Sequence, residues 1–231
     1  MKTFIVTLFL CLPLFAHAAG GHNPHVVEAP IDLHDQPSMQ RGAKMFMESC
    51  LGCHSTQYQR YQRVATDLAI DIDSMNAMIH TDAKIGDLML SSMPQTEAAK
   101  WFGAAPPDLT MVARVRGSDW LYSYLISFYQ DDSRPFGVNN LVFPSVGMPH
   151  VLERLQGRPI LQENGTIVAS GGTMSAEEYQ QVALDLTNFL TYSAEPIRTT
   201  RESMGVWILG FLAVFFVIAY LLKREYWRDV H

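Results

Sequence analysis

Cysteine is scarce: the 231 residues hold three, Cys11, Cys50 and Cys53. That excludes a disulfide-stapled domain and a zinc site built from two cysteine pairs. Charge is thin as well, at 17% of residues, and there is no basic excess. Residues 19–203 carry 13 Lys and Arg against 21 Asp and Glu, a net charge of −8. A domain of that sign disfavours nucleic acid and favours encounter with a basic partner. Repeats and low-complexity tracts are missing, which excludes a solenoid and a tail-like chain. Apolar residues are not missing: at 48% they suffice for one cored domain with an apolar segment beside it.

The apolar excess lies at the two ends. Residues 1–18 have the form of a cleaved secretory signal, with Lys2, an apolar stretch from Phe4 to Phe15, and Ala16-His17-Ala18 as the small-x-small cleavage site. Its removal takes Cys11 with it and leaves Cys50 and Cys53 alone. Near the other end, Met204 to Leu222 is a run of 19 residues without a charge. At 1.5 Å per residue it spans about 28 Å, the thickness of a hydrocarbon core. Trp207, Tyr220, Tyr226 and Trp227 flank it as interfacial aromatics, and Lys223, Arg224 and Arg228 follow. The expected organisation is a signal at 1–18, an exported domain at 19–197, a linker at 198–203, a transmembrane helix at 204–222 and a cytoplasmic tail at 223–231.

Within the exported part stands Cys50-Leu51-Gly52-Cys53-His54, of the form C-x-x-C-H. Two thiols at that spacing can bond the two vinyl groups of one haem, and the adjacent histidine can ligate its iron. A redox dithiol or half a zinc site are the other uses of C-x-x-C. Given the cysteine and histidine frequencies, chance would produce the pentapeptide about 0.001 times in this length. Covalent haem c through Cys50 and Cys53, with His54 as one metal ligand, is therefore the expected cofactor.

Residues 19–37, with Gly20, Gly21, Pro24, Pro30 and Pro37, suggest an extended arm, whose His22, His25 and His34 are solvated residues or a weak metal site. Pro37 to Ser49 has helical spacing and delivers Cys50 at its end. Residues 57–80 also look helical, with Asp67, Asp71 and Asp73 as a docking patch or an ordinary solvated face. One or two short helices follow in 85–103, the second opening at Thr96-Glu97. The Pro106-Pro107 pair then stops regular structure, and Pro107 is a candidate for the cofactor's edge. Ser118 is expected to cap a helix from Asp119 to Tyr129, and residues 131–150 form a long, functional loop. Asn164-Gly165 suggests a two-residue hairpin turn, and Ser175 with Glu178 a capping box opening a long helix that ends before Pro196. The fold class is mostly α, a c-type cytochrome domain with long loops and a small β-hairpin, plus one C-terminal transmembrane helix.

The second iron ligand must come from elsewhere in the chain, with Met or His the usual choices. Met148, on an irregular loop between Gly147 and Pro149, is the first candidate; His150 is second and Met93 third. Thioether ligation raises the reduction potential, as suits a late acceptor in a respiratory chain.

Four segments carry a resemblance: RGAKMFMESCLGCHS with the following QYQRY, APPDLTMVARVRGSDWLYSYL, FPSVGMPHVL, and LTNFLTYSAEPIRTTRESMG. Together they resemble the cytochrome c1 family, the haem-bearing subunit of the ubiquinol–cytochrome c reductase (bc1) complex. The resemblance implies Cys50 and Cys53 as thioether donors, His54 as proximal ligand and Met148 as distal ligand. Arg116 would meet a haem propionate, and Trp120 stands where the family has a tyrosine partner for it. It further implies cytochrome b and a Rieske iron–sulfur protein as partners, a soluble cytochrome c as acceptor, and a dimeric complex. The place would be a bacterial inner membrane, with the main domain in the periplasm. The chain would act as one electron-transfer subunit and catalyse nothing alone. A free-standing anchored cytochrome and a sensor with an open sixth position are the competing readings.

Overall fold

The computed structural model describes residues 23–230, so the expected signal, Cys11 and His22 lie outside it. The arm is present from Asn23 to Asp35 as irregular chain held by the body. Val27 N–H donates to Ser123 Oγ at 2.9 Å, Ala29 N–H to Asp119 Oδ1 at 2.9 Å, and Asp32 N–H to Asn188 Oδ1 at 3.1 Å. Helix α1 (Gln36–Ser49) starts where Asp35 accepts from Ser38 N–H, with Pro37 at a position that needs no N–H donor.

The core is the crossing of α1 with α8 (Ala176–Ala194). Ala43, Phe46 and Met47 of α1 are buried, as are Leu186, Phe189 and Leu190 of α8, and the rings of Phe46 and Phe189 lie 5.5 Å apart. Each such side chain contributes about 1.5–3 kcal/mol when fully buried. Gly42 lets the helices touch: a Cβ there would run into the Asp185 carbonyl and the Phe189 Cβ. The expected capping box opens α8, with Ser175 Oγ accepting from Glu178 N–H and Glu178 Oε2 from Ser175 N–H. Helices α5 (Val112–Arg116) and α6 (Ser118–Ile126) also pack on α8.

Between these lie short elements: β1 (Thr56–Arg60), α2 (Tyr61–Asp67), α3 (Ile72–Met78), β2 (Leu88–Met89) and α4 (Gln95–Phe102) precede α5. After α6 come β3 (Phe128–Gln130), β4 (Val138–Asn140), α7 (Glu153–Gln156), β5 (Gly157–Leu161) and β6 (Ile167–Gly171). The strands pair antiparallel as β1–β2, across α2 and α3, and as the hairpins β3–β4 and β5–β6.

Several local expectations change. The 57–80 stretch is not one helix. Its start pairs with β2, and its middle breaks at Ala69, which takes φ +50°. The acidic trio there is partly internal: Asp67 accepts from Arg63 and from the Tyr192 hydroxyl, and Asp71 caps α3. Ser118 caps nothing, because Gly117 takes the cap position at φ +92° and Ser118 Oγ pairs with Thr191 Oγ1 of α8 at 3.0 Å. Helix α6 stops at Ile126, since Phe128 to Gln130 pair with Val138 to Asn140 inside the stretch taken for a plain loop. The β5–β6 turn is longer than two residues. Gly165 takes φ +83° after a turn closed by Gly165 N–H to the Gln162 carbonyl, the three-residue form with glycine in the left-handed position. Residues 198–203 are the first turns of α9 (Arg198–Tyr226) rather than a separate linker. No residue of α9 is buried, and with 29 residues and an 18-residue stretch of mean hydropathy 2.5 it is long and apolar enough to cross a membrane.

Candidate haem-attachment site

Helix α1 runs into the C-x-x-C-H motif without a break. The Cys50 and Leu51 N–H groups donate to the Phe46 carbonyl, and those of Cys53 and His54 to the Cys50 carbonyl at 3.0 and 2.9 Å. One more turn is thereby wound through the motif, which keeps the two thiols close together; both are free and half-buried. Burial, with Cys53 beside it, pushes the Cys50 thiol up to about 12, so it is held protonated.

Two segments clamp this turn. On one side the Ser55 carbonyl accepts from Leu109 N–H at 2.8 Å, and Asp108 Oδ2 accepts from Gln57 N–H at 2.8 Å. On the other, Ser91 Oγ donates to the Gly52 carbonyl at 2.8 Å while Ser91 N–H donates to Ser55 Oγ. The prolines hold the 103–109 segment irregular, and so the Pro107 carbonyl reaches His54. His54 Nδ1 donates to that carbonyl at 2.7 Å. A carbonyl can only accept, which fixes the tautomer and leaves the Nε2 lone pair for a metal. Burial lowers the pKa of His54, against the smaller raising effect of Pro107, so the imidazole is neutral as a ligand must be.

Met148 is half-buried in a cluster with Phe128, Val138, Val146, Phe136 and Tyr124. The hydroxyl of Tyr124 donates to its Sδ at 3.3 Å. The loop carrying Met148 is built by two asparagines of β4. Asn140 Oδ1 accepts from Val142 and Phe143 N–H, and Asn139 Oδ1 from Ser145 N–H, which allows Ser145 its φ of +62°. Of the other ligand candidates, His150 is buried with its ring stacked 4.8 Å from that of Phe128 and its Nε2 bonded to Gln156 Oε1 at 2.7 Å. That bond takes up Nε2, and burial pushes the imidazole pKa down to about 4. Met93 is half-buried beside the Ser91 clamp.

Arg116, exposed at the end of α5, lays its guanidinium 5.2 Å from the centre of the Trp120 ring and 5.9 Å from that of Phe143. Trp120 in turn stacks on Tyr124 at 5.1 Å. Arg116, Trp120, Tyr124 and Met148 thus form one contiguous series. Nothing in the sequence signals Tyr124 beyond its spacing, one turn after Trp120.

A covalently held haem fits these residues: two free thiols one turn apart, a neutral buried imidazole with Nε2 unengaged, and a thioether on a fixed loop. Cys50, Cys53, His54 and Met148 could hold it. Among the described residues no trio of His, Cys, Asp or Glu is grouped to bind a free metal ion, the arm histidines His25 and His34 included.

A family profile described as the Cytochrome C1 family matches residues 25–230. A cytochrome c1 of Allochromatium vinosum is 50% identical over 244 residues, covering 100% of both chains. A protein of Nitrosomonas europaea named ammonia monooxygenase gamma subunit is 45% identical over 234 residues, covering 100% of this chain and 99% of its own. A cytochrome c1 of Blastochloris viridis is 25% identical, over 93% of this chain and 90% of its own.

Proposed function

The chain belongs to the cytochrome c1 family, and from that premise we propose that it is the membrane-anchored, one-haem electron carrier of a ubiquinol–cytochrome c reductase. In this reading the Rieske iron–sulfur protein delivers one electron at a time and a soluble cytochrome c takes it away, with cytochrome b as neighbour in the membrane. When bound, the haem supplies a reversible one-electron couple. The chain's own residues do the rest. Cys50 and Cys53 would hold the group covalently, His54, with its tautomer set by Pro107, would ligate the iron, and Met148 would supply the second ligand. Arg116, backed by Trp120, would pair with a propionate, since a guanidinium suits a carboxylate. No group is required to donate or accept a proton. The domain at 19–197 lies on the periplasmic face of a bacterial inner membrane and α9 crosses it once, with the basic tail inside.

The observation that carries the reading is the His54 Nδ1 to Pro107 carbonyl bond at 2.7 Å. It prepares Nε2 of the motif's histidine as a metal ligand, which a redox dithiol does not require. The name of the Nitrosomonas relative favours a second assembly, with a monooxygenase. Affinity purification of the tagged chain from membranes separates the two. Co-purified cytochrome b and a Rieske protein, with quinol-dependent reduction of cytochrome c lost in His54→Ala, is the expected result. Recovery with monooxygenase subunits, or alone, overturns the assignment to a reductase complex.

A further inference from the structure

Tyr124 is placed with more constraint than a core tyrosine needs. Its ring stacks on Trp120 at 5.1 Å and 12°, and meets Phe128 edge-on at 5.1 Å and 73°. Its backbone carbonyl accepts from Asn140 Nδ2 at 2.8 Å, the same asparagine whose Oδ1 shapes the loop carrying Met148. Ring and loop are therefore registered to each other, and the one polar atom of the side chain ends 3.3 Å from Met148 Sδ. A phenol half-buried among apolar rings would ordinarily seek an oxygen acceptor, as the buried Tyr179 does with the Leu125 carbonyl at 2.7 Å. Here it is aimed at a thioether, a weak acceptor. A thioether has two lone pairs, so a sulfur that gives one to a metal keeps the other for a hydroxyl.

We propose that the Tyr124 hydroxyl is a positioning group for the Met148 sulfur, and that its hydrogen bond tunes that sulfur's strength as an iron ligand and so the reduction potential of the protein. The proposal rests on Met148 being the distal ligand. Donation from O–H draws electron density from the sulfur, which then stabilises the more positive, oxidised metal less. The bond consequently raises the potential. It also fixes which way the sulfur faces, because Tyr124 cannot swing between Trp120 and Phe128.

The test uses the full-length, haem-loaded chain in detergent and three variants. Potentiometric titration gives the potential, and the near-infrared sulfur-to-iron absorption reports the ligand. Tyr124→Phe keeps the ring between its neighbours and removes only the hydroxyl. A neutral hydrogen bond is worth about 1 kcal/mol, so the oxidised-to-reduced equilibrium should shift up to about fivefold towards oxidised, about 40 mV at 59 mV per tenfold. Tyr179→Phe loses a buried hydroxyl from the same core without touching Met148, and should leave the potential where it was. Met148→Leu should lose the sulfur band. Wild-type potential in Tyr124→Phe, with the band lost in Met148→Leu, overturns the role of Tyr124 and leaves the ligand standing. Survival of the band in Met148→Leu overturns both. An equal fall in Tyr179→Phe shows a general effect of core polarity and overturns the specific one.

Discussion

Arg41 of α1 grips Asp185 of α8 at two points, Nε to Oδ2 at 2.6 Å and Nη2 to Oδ1 at 2.8 Å. The Asp185 side chain is 5% exposed and that of Arg41 53%. Ser38 Oγ and Gln181 Nε2 also donate to Oδ1. The two sides of this pair should therefore not be equivalent. Asp185→Asn sets an amide against the guanidinium and leaves buried donors short, and should cost about 2–4 kcal/mol. Arg41→Ala leaves Ser38 and Gln181 in place and removes a solvent-screened cation, so about 1–2 kcal/mol is expected. Urea midpoints at unchanged slope measure both. Equal losses would mean that the charge pair, rather than the buried carboxylate's hydrogen bonds, holds the crossing.

One residue further along α1, Gly42 faces the same aspartate from the backbone side. In an isolated helix Gly42→Ala would stabilise by about 1 kcal/mol. Here the added methyl meets the Asp185 carbonyl carbon at 2.6 Å and Phe189 Cβ at 2.9 Å, so the helices must separate. Overpacking of this kind costs about 1–3 kcal/mol and wins over propensity. Gly86→Ala, where the methyl meets nothing within 4 Å, is the control. The expected result is a lowered Tm for the first and a Tm close to wild type for the second.

The junction between α8 and α9 should respond to acid. Arg201 Nε donates to Glu195 Oε1 at 2.6 Å, and Arg114 Nη1 lies 3.1 Å from Oε2. Arg201, with Arg114 and Arg198 adding to it, holds the Glu195 carboxyl below its ordinary value of 4.5. The folded state thus favours the charged form. Its contribution is present above the unfolded carboxyl's pKa and is lost as pH falls through the lower, folded one. Glu195→Gln should lower stability by a constant amount above about pH 4.5, and the gap to the wild type should close as pH falls below it. Thermal melts at a series of acid pH values would show it, and parallel curves for the two proteins would refute it.

Much of this was legible in the sequence because the signals were local. The C-x-x-C-H motif, the Ser175–Glu178 capping box, the proline stop at Pro106-Pro107 and the charge-free run from Met204 each depend on residues a few positions apart. What was not legible depends on pairing at a distance. Residues 57–60 have helical spacing, but Asp108 and Thr110 from the proline segment take their backbone N–H groups and β2 takes their edge. Residues 128–130 leave α6 because β4, eight residues on, pairs with them. At the site, the thiols and His54 could be named from spacing alone. The aim of Tyr124 at Met148 follows from the β4 asparagines and could not.

The anchor should be separable from the domain. Helix α9 places no residue in the core, and the large apolar side chains from Val206 to Leu222 are exposed, Trp207 by 83%. Deleting it removes no core packing, whereas retaining it leaves an apolar surface that water cannot tolerate. The ties lost are Arg201 to the Glu195 carboxylate and the Arg198 N–H to the Glu195 carbonyl, and Arg114 remains to pair with that carboxylate. A chain ending at Pro196, exported behind a secretory leader, should appear in the detergent-free supernatant after high-speed centrifugation. It should carry haem and keep the full-length potential, because among the described residues no hydrogen bond, ion pair or ring contact joins α9 to Cys50, Cys53, His54, Tyr124 or Met148. Its acid limb should show a weakened Glu195 contribution, midway between wild type and Glu195→Gln. A truncated chain that sediments, or that loses its haem, would show that the helix supports the domain and does more than tether it.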